Sequence, residues 1–280
     1  MDKGEILNER YEVKKTLSQG GFGITYLAQD ITEADRPLCV IKKLQLRTDI
    51  GLNMAEAETR FQREAETLKQ LGNHAQIPQF WDYFIDGDEF YLVQEYIDGQ
   101  DLRGEITDGK RWSQGKVIGL LYDVLQILKF IQGQNPPIIH RDINPRNLIK
   151  RKSDRRIVLI DFGAVKEVVT TSEGETSSTI VIGTPDYTPE EQKKGKPSIQ
   201  SDIYALGMTG FYALTGNPPR RLKYLENSCI DWPEEVDTSD SLKGIMDKMV
   251  QRKSSDRYAT AAEVLDQLAK LHKIGATVNG

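Results

Sequence analysis

Cysteine, histidine and long apolar runs are what this chain has least of. Its 280 residues include two cysteines, Cys39 and Cys229, and three histidines. The cysteines lie far apart and share no metal-ligand spacing with the histidines, which argues against a zinc site, and such sparse thiol use fits a reducing compartment. No apolar run approaches the ~18 residues that a membrane-spanning helix needs. Met1-Asp2-Lys3-Gly4-Glu5 has no signal-peptide core. Excess positive charge is missing too: 37 Lys and Arg stand against 42 Asp and Glu, so nothing in the composition points to nucleic acid. The basic groups Lys150-Arg151-Lys152 and Arg155-Arg156 read as a solvated hairpin tip. No internal repeat or low-complexity tract is present. The expectation is a soluble, cytoplasmic globular protein, 38% hydrophobic and 28% charged, forming one large two-lobed domain or two modest ones. The chain stops soon after its last helical pattern, as a piece of a longer protein would.

The early segments alternate like strands. Tyr11–Leu17 leads into a Gly-rich turn and Thr25–Asp30 returns, a hairpin pattern, and Leu38–Lys42 is a third strand. Met54, Phe61, Ala65, Leu68 and Leu71 then share one helical face. Two aromatic-rich strands near Phe80–Ile85 and Phe90–Tyr96 flank Asp86-Gly87-Asp88. From Gly99 the pattern turns helical, with Val117, Leu121, Val124, Leu125, Leu128 and Ile131 in register until Asn135-Pro136-Pro137. Leu148–Lys150 and Ile157–Ile160 form a further hairpin pattern. Ile203–Leu214 and Ala261–Leu271 read as helices, and Thr170–Thr179 as a polar loop.

Chemistry concentrates in Ile139-His140-Arg141-Asp142-Ile143-Asn144-Pro145-Arg146-Asn147, followed nineteen residues after Asp142 by Asp161-Phe162-Gly163. Metal-dependent phosphoryl transfer needs one carboxylate to take the proton of the attacking hydroxyl. It also needs an amide and a second carboxylate to hold the cations that bridge ATP phosphates. Asp142, Asn147 and Asp161 have the types and spacing for those roles. The hairpin that follows would carry Asn147 at one end and Asp161 at the other.

These motifs resemble the eukaryotic-like serine/threonine protein kinase family, bacterial type, and the likeness runs over roughly residues 11–270 in the family's order. The resemblance implies an α+β fold with two lobes: a small one, about 10–96, with an antiparallel sheet and one helix, and a large, mainly helical one, about 97–272. It implies ATP and Mg²⁺ as cofactors, Mn²⁺ being a possible substitute, and a protein substrate. Ser18-Gln19-Gly20-Gly21-Phe22-Gly23 sits between two strands, as a phosphate-covering loop must; Gly20, Gly21 and Gly23 let backbone N–H groups approach the phosphates, with Ser18 where the family has Gly. Lys42 would pair the α- and β-phosphates, oriented by Glu64, with Glu56, Glu58 and Glu66 as rivals. The Glu95 carbonyl and Ile97 amide would hold the adenine edge between Val40 and Leu148, and Asp101 would reach the ribose. Glu190 would be buried against Arg257, and Asp202 would cap a helix N-terminus and tie down the catalytic loop.

The chain departs from the pattern at Asn144, where such kinases usually carry Lys. Losing that charge removes roughly 1–2 kcal/mol of transition-state interaction, about tenfold in rate. Arg146 is the nearest cation able to compensate. Arg146 is also tyrosine-kinase-like, but Thr184 in Gly183-Thr184-Pro185 argues for serine and threonine as acceptors. Arg141 implies a loop ordered by phosphate, so autophosphorylation is expected at Thr176 or Thr179. Two alternatives stand beside an active protein kinase: a pseudokinase that binds nucleotide as a scaffold, and a small-molecule phosphotransferase. Substrate and oligomeric state are not legible here.

Overall fold

The computed structural model describes residues 1–20, 23–44, 54–72, 74–87, 89–162, 166–167, 183–226 and 229–278. The chain divides into two compact units, Met1–Asp98 and Gly99–Gly280.

The first unit is an antiparallel sheet with one helix. Strands Ile6–Leu7 (β1), Tyr11–Gly20 (β2), Gly23–Asp30 (β3), Leu38–Leu44 (β4), Phe80–Asp86 (β5) and Glu89–Glu95 (β6) run in the order β1-β2-β3-β4-β6-β5. Period-two alternation turns Tyr11, Val13, Tyr26, Ala28, Cys39, Ile41, Tyr91 and Val93 into one buried cluster. Within it the Tyr11, Phe84 and Tyr91 rings stack at 6.1 and 4.9 Å. Cys39 has no exposed surface, and burial pushes its thiol up to about 12. Helix Met54–Leu71 (α1) packs on β5 and β6 and buries Ala65, Leu68 and Leu71. The side chains of Met54 and Phe61 lie outside the description. The expected strand-strand-strand-helix-strand-strand order forms, preceded by the two-residue β1, which was not among the expected strands.

The second unit is mainly helical. Its short strands are Gly99–Asp101 (β7), Ile138–Ile139 (β8), Leu148–Arg151 (β9), Ile157–Leu159 (β10) and Lys166–Glu167 (β11). Its helices are Gln114–Gln132 (α2), Glu190–Lys193 (α3), Ile199–Thr215 (α4), Asp240–Met249 (α5) and Ala261–Val278 (α6). Ser113 caps α2 by accepting the Lys116 N–H, and the helix packs its apolar face on α4 and α6. A Cβ on Gly207 of α4 would lie 2.6 Å from Val250 Cγ1, so only glycine lets α4 approach the end of α5 this closely. Residues 152–156 at the basic hairpin tip are exposed, as expected, and three of the basic residues pair with acids: Arg151 with Asp154 at 2.8 Å, Arg156 with Asp123 at 2.8 Å and Lys150 with Glu105 at 3.5 Å. No described helix is long and apolar enough to cross a membrane.

Two expectations about the large unit need correction. Arg257 pairs with Glu191, not Glu190: its Nη1 and Nη2 donate to Glu191 Oε1 and Oε2 at 2.6 and 3.1 Å. Helix α3 starts at Glu190, directly after Pro189, so that side chain points to solvent and meets Lys193 at 2.8 Å. Glu191, about 100° further round the helix, faces inward. Asp202 does not cap α4 either. Ser198 is the cap residue, its own N–H donating to Ser201 Oγ, while both Asp202 oxygens turn to the segment after β8.

Arg257 has no exposed side-chain surface, so Glu191→Ala strands a buried cation and is expected to cost ~3–5 kcal/mol in denaturant unfolding. Glu190→Ala should stay within about 0.5 kcal/mol. Burial pushes the Glu191 carboxyl up, but the Arg257 hydrogen bonds and charge outweigh it and leave it below the usual carboxylate range. A lowered folded-state value means the pair's contribution is complete above the unfolded value, about 4.3, and is lost as pH falls through the folded one. The gap between wild-type and Glu191→Ala stability should therefore narrow in acid.

Candidate active site

Strand β8 delivers the chain to His140, and from there to Asn147 the backbone is held by side chains. The Asp202 carboxylate, fully buried, accepts two consecutive backbone N–H groups, His140 on Oδ2 and Arg141 on Oδ1, both at 2.8 Å. Burial pushes this carboxyl up, against the opposing pull of His140 and the two amides. Arg141 sits at φ +71°, a left-handed conformation rare for a side chain of its size. The His140 ring adds a second tie. Its Nε2 lies 3.1 Å from the Ile160 carbonyl, and it meets Phe162 edge-on at 4.8 Å.

The Asp142 carboxylate accepts four hydrogen bonds. Its Oδ1 accepts from Thr184 N at 2.9 Å, Thr184 Oγ1 at 2.8 Å and Asn144 Nδ2 at 3.0 Å; its Oδ2 accepts from Asn147 Nδ2 at 2.9 Å. Asn144 is buried and also donates to Thr184 Oγ1 at 3.1 Å, while its own oxygen accepts the Arg146 N–H at 2.9 Å. It therefore joins Asp142 to Thr184 through an uncharged side chain. Arg146 is exposed. Its charge is felt at Asp101: burial pushes that carboxyl up, but the hydrogen bonds from Arg103 and the charges of Arg103 and Arg146 bring it below the usual range.

The hairpin works as expected. Leu148 pairs with Leu159, and the Ile160 N–H donates to the Asn147 carbonyl at 2.9 Å, which sets Ile160 opposite Asn147 and Asp161 one residue beyond. Asp161 lies at φ +67°. The Asn147 Nδ2 donates twice to Asp142, so its amide oxygen is the group it can offer to a ligand. One amide oxygen and one carboxylate are hard donors, a set that suits a small divalent cation.

In the first unit, Lys42 Nζ meets Glu64 Oε1 at 2.8 Å, both groups largely buried. That decides for Glu64 over Glu66, which is exposed; the side chains of Glu56 and Glu58 lie outside the description. Gly20 pairs with Gly23 and Ser18 with Thr25, and Gly21 and Phe22 are outside the described residues. Val40 is half-buried between Leu27 and Gln94, and the Glu95 N–H donates to the Gln79 carbonyl. Ile97 is buried in this unit, and Leu148 is fully buried in the other. Asp101 accepts from Arg103 at 2.6 and 3.0 Å and caps the turn Leu102–Gly104. Thr176 and Thr179 lie outside the described residues.

His140 and Gln192 reach this network without having been singled out in the sequence. Position signals His140, next to the Arg-Asp pair, whereas nothing local marks Gln192.

Residues 11–268 match the family model described as the protein kinase domain. The chain is 39% identical over 269 residues to serine/threonine-protein kinase B of Synechocystis sp., covering 94% of this chain and 46% of that one. It is 39% identical over 270 residues to serine/threonine-protein kinase PknA of Nostoc sp., covering 94% and 48%. The chain thus spans about half the length of these curated relatives. Among solved structures, the Mycobacterium tuberculosis PknI kinase domain matches with a TM-score of 0.70 at 23% identity, covering 96% of this chain and 99% of that one. That is a likeness of fold.

Asp202→Ala removes the acceptor of two buried N–H groups, each costing ~1–3 kcal/mol when unpaired. The expected loss is about 2–6 kcal/mol in denaturant unfolding, and a loss under about 1 kcal/mol would mean the loop holds its shape without the carboxylate.

Proposed function

The chain belongs to the protein kinase domain family, and from that premise we propose that it transfers the γ-phosphoryl group of ATP to Ser or Thr hydroxyls of protein substrates. The observation that carries the reading is the Asp142 carboxylate, oriented by Thr184, Asn144 and Asn147. Asp142 takes the proton of the attacking hydroxyl as that oxygen bonds to the γ-phosphorus and ADP leaves. The family's divalent cation, Mg²⁺ in this proposal with Mn²⁺ as a substitute, neutralises charge on the β- and γ-phosphates when bound. Asn147 and Asp161 are its proposed ligands. Lys42, oriented by Glu64, holds the α- and β-phosphates, under a loop of Ser18, Gly20, Gly21 and Gly23. Glu95 and Ile97 present backbone groups to adenine, Val40 and Leu148 flank the ring, and Asp101 serves the ribose by sharing its carboxylate with Arg103.

At position 144 the usual lysine charge gives way to neutral donors. Asn144 and Thr184 hold Asp142, and Arg146 supplies the nearby cation. Thr184 beside the base supports Ser and Thr as acceptors. Regulation by autophosphorylation at Thr176 or Thr179, read by Arg141, belongs to the same proposal, as does a cytoplasmic location without nucleic-acid partners.

Incubation with radiolabelled ATP and Mg²⁺ is expected to put label on protein. Asp142→Asn should lower turnover about 10²–10⁴-fold with the thermal midpoint kept, and near-parental turnover would overturn the reading. Thermal stabilisation by ATP with no label transferred would make the protein a nucleotide-binding scaffold instead.

A second test concerns the neutral position. Asn144→Lys should raise kcat less than about tenfold, because the lysine gains charge but gives up the bonds that join Asp142 to Thr184. Arg146→Ala should lower kcat measurably. An unchanged kcat in Arg146→Ala would reduce that residue to a surface arginine.

A further inference from the structure

The contact between Asp142 and Thr184 joins two segments that lie forty-two positions apart in the sequence. The residue before each partner is unusual. Arg141 precedes Asp142 and holds a left-handed φ of +71°; Gly183 precedes Thr184 and holds φ +120°. Both meet one side chain, Gln192 of α3, which is 3% exposed. Its Nε2 donates to the Arg141 carbonyl at 2.6 Å. A Cβ built on Gly183 would lie 2.8 Å from that same nitrogen, 2.7 Å from Thr188 Oγ1 and 3.0 Å from the Arg141 carbonyl oxygen. Thr188 Oγ1 in turn donates to the Thr184 carbonyl at 2.9 Å.

The Arg141 carbonyl and the Asp142 N–H belong to one rigid peptide plane. Asp202 fixes the N–H side of Arg141, and Gln192 fixes its carbonyl side. With both sides held, the left-handed residue cannot relax, and the plane that aims the Asp142 side chain cannot turn. We propose that Gln192 is a positioning residue for phosphoryl transfer: its amide holds the Arg141–Asp142 peptide and packs against Gly183, and so sets the Asp142–Thr184 contact. The inference rests on the kinase reading for its effect on rate, but the clamp itself is testable without turnover.

Two variants of similar length remove the donor in different ways. Gln192→Glu keeps the shape and leaves acceptors only, and Gln192→Met removes polarity altogether. In both, kcat for a peptide acceptor is expected to fall about tenfold, the scale of one neutral hydrogen bond acting only at the transition state. KM for ATP should stay within about twofold, as a positioning fault predicts and a general loss of structure does not. Hydrogen exchange supplies the readout independent of activity. The Asp142 and Thr184 amides, which donate to His140 Nδ1 and Asp142 Oδ1, should exchange faster in the variants while α2 amides keep their protection. Unchanged protection of these two amides would overturn the inference, whatever the protein's activity. So would a kcat within twofold of an active wild type. An inactive wild type whose two amides lose protection in the variants would count against the kinase reading and leave the clamp standing.

Discussion

One carboxylate that sees no water organises the candidate active site. The burial of Asp202 is offset by the two backbone N–H groups of His140 and Arg141 and by the charge of those two residues. Those two bonds anchor the loop to α4, most of whose residues are buried. Everything chemically interesting hangs from that anchor: the left-handed turn at Arg141, the direction of Asp142, and through Asp142 the amide of Asn147 and the hydroxyl of Thr184. Asp202, which bonds to neither Asp142 nor Thr184, is thus the acid on which the orientation of both rests.

Polar contacts rather than apolar packing define this region, and they form a closed set. Asn144 bonds to Asp142, to Thr184 and to the Arg146 N–H, so its donors and its oxygen are all engaged inside the loop. Such a set has few alternative arrangements, because each altered bond leaves buried Asn144 or its partner unsatisfied. This gives the departure at position 144 a physical character: a longer, charged side chain would trade orientation for charge, whereas asparagine favours orientation.

The site was legible in the sequence where chemistry dictates both residue type and spacing. Asp142, Asn147 and Asp161 are of this kind, and the β9–β10 hairpin that follows Asn147 and precedes Asp161 was readable from two short apolar runs. Glu64 was readable because it precedes the apolar stripe of α1 by one position. The Glu190–Glu191 choice was not, since two adjacent glutamates differ only in where the helix begins, and Pro189 sets that start. Strands of two or three residues such as β1, β7, β8 and β11 carry no periodicity to read. Helix α5 does carry one, in Leu242, Ile245, Met246 and Met249 after a Ser239 cap, yet it was absent from the expected elements. Gln192 could not have been found by pattern, because its importance comes from segments that only the folded chain brings to it.

Cys39, sealed in the centre of the first unit's sheet, makes that unit self-reporting. A thiol with no exposed surface, and with its ionisation pushed up to about 12, offers almost no thiolate to an alkylating reagent. It becomes reactive only in molecules whose sheet has come apart around β4. The rate at which Cys39 is alkylated in the otherwise native protein is therefore a clock for opening of the N-terminal unit alone, readable by mass without adding any probe to the sequence.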